Sequence, residues 1–400
     1  MHTEIRKSFP VFTKNPNLVF LDTAASALKP TQMIDAVNSC YSYEYANVHR
    51  GLYSLSANLT KKFEDVREQV SIFVSTNSPE NIIFTKSATE AINLVAYTFV
   101  EKFLKKDDEI IISFLEHHAN IVPWHMAAKK NQIKVIPIEL LQNGEIDYED
   151  LKNKINSKTK FISLTHMSNV TGSITNFEKV KEIIKGKNIP LLIDGCQYIA
   201  HAPLNLTELD CDFYTFSGHK LYGPSGIGIL YMKDKWINDL DPYQGGGSMI
   251  DKVEINKTTY AKGLQKFEAG TPPIAQVIGL GSSIDFVKNK NLSKIFSYEK
   301  ELHDYCIEKL KGINDIEFYG NSSNKGAIIS FNIINKHPND IAMILDQSNI
   351  AIRTGHHCAQ PLMKYLNITS SARASFGMYN NKNDVDFFVE ALKNARGFLS

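Results

Sequence analysis

The sequence predicts an α/β fold, a mostly parallel sheet covered by helices on both faces, joined to a smaller α+β unit. Two observations carry this. From 81 to 231, short apolar runs of strand length alternate with helical patterns, as in successive βα units. The 400 residues also exceed what one core commonly holds, so a large and a smaller unit are expected. In order, NIIF (81–84) reads as a strand and ATEAINLVAYTFVEKF (88–103) as a helix; EIIIS (109–113) is a strand, with a helix near 119–130 after it. IKVIPI (133–138) and FISLTH (161–166) continue the sheet. A helix falls near 176–186, and PLLID (190–194), DFYTF (212–216) and GIGILY (226–231) complete the series. Such apolar runs suit strands covered on both faces. The polar stretch KNKNLSK (288–294) marks the passage into the second unit. That unit holds a long helix, strands near 316–319 and 327–333, a helix near 340–347 and an amphipathic helix from Lys382.

Composition narrows the class. Lys and Arg number 44 against 43 Asp and Glu, a net charge of +1, which gives no electrostatic reason to expect nucleic acid or an anionic membrane as partner. The first residues, MHTEIRKSFPVF, are too short and too mixed in charge for a signal peptide, and no run is long enough for a membrane span, so a cytoplasmic protein is expected. The five cysteines (Cys40, Cys196, Cys211, Cys306, Cys358) show no CxxC and no regular spacing, which argues against zinc and against a disulfide framework. Four read as buried small hydrophobes, Cys196 and Cys306 lying in apolar patterns. Cys358 reads differently.

The chemistry starts at Lys220. It sits in CDFYTFSGHKLYGPSGIGIL (211–230), in a turn between two strand-like runs, where desolvation and fixed geometry suit an amine that attacks a carbonyl. Upstream, Asp194 ends an apolar run, and a carboxylate at the carboxyl end of a strand can pair with a pyridinium nitrogen. Together they suggest pyridoxal phosphate. Ser87 and Glu90 fit a capping box opening a helix, and such a helix start also offers free N–H groups to a phosphate. In RTGHHCAQP, Gly355 frees the backbone, His356 and His357 supply polar neighbours and Pro361 stiffens the exit, so Cys358 is the candidate nucleophile.

The segments DGCQ (194–197) and SGHKLYGPSGIG (217–228) resemble the class V aminotransferase group of fold-type I pyridoxal-phosphate enzymes. RTGHHCAQPLM (353–363) narrows the resemblance to SufS-type cysteine desulfurases and selenocysteine lyases, and it runs from about Phe9 to the C-terminal helix. It implies a large cofactor domain over 25–288 and a small domain made of 1–24 with 289–400. It implies that His117 stacks on the cofactor ring and shuttles protons, that Gln197 meets the phenolic oxygen, and that Ala88, Thr89, Ser217 and His219 hold the phosphate. Ala88 departs from the commoner threonine. Arg373 implies the fork for the substrate carboxylate, Asn169 assists, and Arg353 lies near the nucleophile. Thr271, in FEAGTP, reaches the neighbouring subunit's phosphate across a homodimer, and Gln244 replaces an expected Glu. The activity so implied converts L-cysteine to L-alanine with a persulfide on Cys358 for iron–sulfur cluster assembly, and accepts L-selenocysteine. The sulfur acceptor expected is SufE-like, because Asn339 in His337-Pro338-Asn339-Asp340 is a poor zinc ligand; a zinc-bearing SufU-like scaffold is the alternative. A class V aminotransferase or kynureninase-like enzyme, and a non-catalytic sulfur-transfer scaffold, are the competing readings.

Overall fold

The computed structural model describes residues 2–76 and 78–398. Seven strands form the main sheet, in the order Ile82–Thr85, Gly228–Met232, Phe213–Ser217, Leu191–Asp194, Thr159–Thr165, Glu109–Ser113, Lys134–Ile138. Gly228–Met232 runs antiparallel to both of its neighbours, and the remaining pairs are parallel. Side chains alternate between two cores with the period of a strand. Ile111, Ile162, Leu164, Ile193, Tyr214, Phe216 and Ile229 fill one face. Ile110, Ile112, Phe161, Leu192, Phe213 and Leu230 fill the other.

The helix Ala88–Phe103 begins where the sequence places it, with Ser87 Oγ accepting from the Glu90 amide at 3.2 Å. The return arm differs from a capping box: Glu90 Oε2 takes the Lys86 amide (2.5 Å), one residue earlier than the capping position.

A four-stranded antiparallel sheet follows, in the order Ile316–Tyr319, Ile328–Ile333, Ser371–Ser375, Arg353–Gly355. It shares a separate core with the helices Leu292–Leu310, Pro338–Gln347 and Lys382–Phe398, through Leu302, Phe331, Ile341, Leu345 and Phe388. The N-terminal segment joins both bodies. Val19–Phe20 pairs in parallel with Ile350–Ala351, and Arg6 bridges Asp384 at 2.9 Å. Phe9, however, packs among Tyr222, Phe286 and Tyr379, the first two from the large body. On these separate cores we propose the division at 25–288 for the folded chain. No helix among the described residues is long and apolar enough to cross a membrane.

Candidate active site

A cavity of about 230 Å³ opens at the carboxyl ends of the main-sheet strands, the place such sheets keep for ligands. It brings together Ala88, Thr89, His117, Asn169, Asp194, Gln197, Ser217, His219, Lys220 and Arg353, which lie as far as 265 residues apart in the chain.

Lys220 closes a short 3-10 turn, Gly218–Lys220, immediately after the strand Phe213–Ser217. Its Nζ donates to the carbonyl of Ala24, and burial pulls its pKa down to about 8, so about a tenth is already the neutral amine at pH 7. Asp194 is the last residue of Leu191–Asp194; Oδ1 accepts from the Cys196 amide at 3.0 Å, and burial raises its pKa. Gln197 Nε2 also donates to Ala24 O, at 2.8 Å.

At the other end, the Ala88 amide donates to Ser217 Oγ (2.9 Å) and the Glu90 amide to Ser87 Oγ, leaving the Thr89 amide without a protein acceptor among the described residues. The strand Gly228–Met232 passes directly beneath this helix start. A Cβ on Gly228 would stand 2.3 Å from Ser87 C and 2.8 Å from Ala88 N, so only glycine fits. Gly228→Ala is therefore expected to push the helix start out of place, with a stability loss of about 1–3 kcal/mol and weakened phosphate binding. Thermal melting and equilibrium dialysis against pyridoxal phosphate check both.

His117 Nδ1 accepts from the Ala119 amide (3.0 Å), which places the ring proton on Nε2. Burial, and next Lys220, push its pKa down to about 4, so it is held as a neutral Nε2–H donor. Its turn is fixed from behind by Glu116, fully buried, which takes Asn120 Nδ2 (2.6 Å) and the Thr165 amide (3.0 Å).

The thiol stands behind Arg353, which lines the cavity. Cys358 lies between the strand Arg353–Gly355 and the helix Gln360–Tyr365, with Arg353 Nη2 at 3.8 Å from its Sγ. His357 and Cys358 both take the left-handed backbone (φ 51° and 55°), which costs about 1–3 kcal/mol each in a non-glycine residue. Two contacts hold them there, and a third ties their partner His118 to the same loop. Asn169 Nδ2 donates to His357 O (2.7 Å), the His118 amide to Cys358 O (2.7 Å), and the Gln360 amide to His118 Nε2 (3.1 Å). Arg373 is buried, with Nη1 on Asn169 O at 2.9 Å and Nη2 on Asp22 at 3.0 Å.

One expectation changes. Cys196 is half-buried and lines the cavity beside Asp194, instead of sitting inert in the core as Cys40, Cys211 and Cys306 do; the strand's apolar run stops at Asp194, two residues short of it. Thr271 lies apart from the cavity in this chain, in a groove with Lys86, Glu90 and Gln244. There Gln244 Nε2 donates to Glu90 Oε1 (3.0 Å), a contact that a glutamate would turn into repulsion. The sequence reading also missed the strap 22–29. Ala24 O receives Lys220 and Gln197, Ala25 lines the cavity, and Ser26 Oγ and Lys29 Nζ hold His219 at 3.2 and 3.0 Å. Its run of small residues in DTAASALK is the signal that was available.

These groups fit pyridoxal phosphate: a buried carboxylate at one end, an open helix-start amide with Ser217 and His219 at the other, and a desolvated lysine between them. Fold and site together define a pyridoxal-phosphate-dependent α/β enzyme. The profile of the family described as Aminotransferase class-V matches residues 19–388, and the chain belongs to that family. It is 43% identical over 399 residues to the cysteine desulfurase of Serratia proteamaculans, covering 99% of this chain and 98% of that one. It is 42% identical over 401 residues, with the same coverage, to that of Wigglesworthia glossinidia brevipalpis. Among solved structures, the cysteine desulfurase CsdA of Escherichia coli superposes with a TM-score of 0.94 at 34% identity, over 100% of this chain and 99% of that one.

Buried neutral histidines make the fold acid-sensitive. His166, stacked on Tyr198 at 3.6 Å, is pushed down to about 3 by burial, and His357 to about 3 by burial and Arg373. Unfolded, they titrate near 6.5, so below that pH the unfolded chain binds more protons and stability falls, by up to about 1.4 kcal/mol per pH unit for each. A melting temperature that declines steadily from pH 6.5 to 4 is expected; a flat profile would contradict it.

Proposed function

We propose that the chain is a cysteine desulfurase that takes the sulfur of L-cysteine as a persulfide on Cys358 and yields L-alanine. The observation that carries this is the thiol of Cys358 on a bonded, left-handed turn beside Arg353, which itself lines the cavity of Lys220 and Asp194. Asp194 would pair with the cofactor's ring nitrogen, Gln197 with its phenolic oxygen, and Thr89, Ser217 and His219 with its phosphate. Bound there, pyridoxal phosphate supplies the carbonyl that captures the substrate amine and a ring that accepts electrons. Lys220, neutral in part because it is desolvated, takes the proton from the substrate α-carbon. His117 Nε2–H donates a hydrogen bond into the site. Arg373 with Asn169 receives the substrate carboxylate. Cys358, as thiolate, attacks the substrate sulfur; the S–S bond forms, the C–S bond breaks, and the electron pair left on the carbon skeleton is taken up by protons to give alanine.

An aminotransferase or a kynureninase-like hydrolase has no use for a thiol held this way, and the cofactor donors speak against a pure scaffold. The test is mass spectrometry of Cys358 after addition of L-cysteine, alongside alanine release. A gain of one sulfur atom is the expected result; alanine formed without it would overturn the reading.

The persulfide then feeds iron–sulfur cluster assembly in the cytoplasm, and L-selenocysteine is a second substrate because selenium leaves more readily. A homodimer is supported by the exposed Tyr41, Tyr43, Leu52 and Tyr53, with Thr271 serving the partner's phosphate. For the acceptor, Asn339 Oδ1 takes Thr354 Oγ1 (2.7 Å) and so stands beside the strand that leads into Cys358. An amide there favours a SufE-like protein over a zinc scaffold, although the exposed His337 stands two residues away. Alanine release with each acceptor added separately decides it: stimulation by the zinc scaffold alone would reverse the choice.

A further inference from the structure

Arg373 has more hydrogen-bonding capacity than its neighbours use. Its side chain is 1% exposed, on the strand Ser371–Ser375, and of its five N–H groups one meets Asn169 O and one meets Asp22 Oδ1. Nε is buried with no partner among the described residues. An unpaired buried guanidinium N–H is costly, so a native one marks the place of an absent acceptor. What sets its direction is Asp22. The backbone at Asp22 is bridged to Ser375, two residues along the same strand as Arg373, and the Ser375 amide donates to Leu21 O at 2.7 Å. The carboxylate and the guanidinium are thus built on one rigid ladder. With Nη1 on Asn169 O and Nη2 on Asp22, rotation about the Cδ–Nε bond is blocked from both sides.

We infer that Asp22 is a positioning residue for recognition of the substrate α-carboxylate, holding Arg373 so that Nε–H and the second Nη2 hydrogen stay free for it. The inference rests on the reading of Arg373 as the carboxylate partner. The opposing role for the same pair is electrostatic: a carboxylate already on the arginine competes with the incoming one. The two roles predict opposite signs. A positioning Asp22 gives weaker carboxylate binding when shortened, and its function survives in asparagine, which keeps the acceptor oxygen. A competing Asp22 gives tighter binding in both variants.

The experiment uses the holoenzyme and two amines that differ only in the carboxylate, L-alanine and ethylamine, titrated by the change in cofactor absorbance. Asp22→Ser, too short to reach the guanidinium, is expected to weaken L-alanine binding about tenfold while ethylamine stays within about twofold, and to raise KM for L-cysteine by the same factor with the effect on kcat much smaller. Asp22→Asn restores most of the loss. An equal change for both amines, or tighter L-alanine binding, overturns the proposal, as does an unaltered carboxylate preference in Asp22→Ser. Should Asp22→Ser not fold, Asp22→Asn still decides between the roles, since competition alone makes it bind L-alanine more tightly than the parent. Arg373→Lys is the control. If it too keeps the preference for L-alanine, the carboxylate has another partner and the reading of Arg373 itself falls; if it loses the preference while Asp22→Ser does not, only the role of Asp22 falls.

Discussion

Lys220→Ala is expected to bring alanine release from L-cysteine down to background, a fall of about a thousandfold or more, while the melting temperature moves little. The size follows from the loss of both roles proposed for Lys220, the amine that anchors the carbonyl group and the base that moves the α-proton, of which the second alone is worth about 10²–10⁴. Stability is spared because Lys220 makes one hydrogen bond, to Ala24 O, and its charge is disfavoured by burial, so its removal relieves a cost. Alanine release within tenfold of the parent would remove Lys220 from the mechanism.

Cys358→Ala separates the two halves of the reaction. L-Cysteine is still expected to bind, because Lys220, Asp194 and Arg373 are untouched, but no sulfur is transferred to the chain and desulfuration of cysteine ceases. Activity on L-selenocysteine is expected to persist in part, since selenium departs without waiting for the thiolate. The substitution keeps the β-carbon and every backbone contact of the turn, those from His118 and Asn169 included, so the loop stays in place and the loss reports on sulfur alone. Persistent cysteine desulfuration would identify another thiol, and Cys196, which among the described cysteines is the one that lines the cavity, is the one to test next.

Much of this was legible before any coordinates. The strands EIIIS and PLLID and the helix Ala88–Phe103 are where their apolar periods put them, because burial on both faces leaves little else a βα unit can do. Lys220, Asp194 and Cys358 announce themselves by residue type against an unusual local background. The strap 22–29 does not, since its work is done by backbone carbonyls of Ala24 and Ala27, which every residue has and no side-chain pattern reveals. Cys196 was misread for a related reason: the strand ends at Asp194, so the turn that carries Cys196 lines the cavity instead of continuing the buried run. The antiparallel course of Gly228–Met232 was likewise invisible, since an apolar run carries no direction.

The strap has a consequence for biosynthesis. Asp22 and Arg373 are 351 residues apart, so the bridge from Asp22 to Ser375 joins segments that leave the ribosome far apart in time. The main sheet needs only residues up to Met232 and can assemble while the chain is still being made. Its cavity lacks a fixed front wall until Ser371–Ser375 emerges and captures residues 21–24. A nascent chain halted before that strand therefore has its sheet strands but an open site, and the pairing of Asp22 with Arg373 must wait for residues 371–375 to emerge.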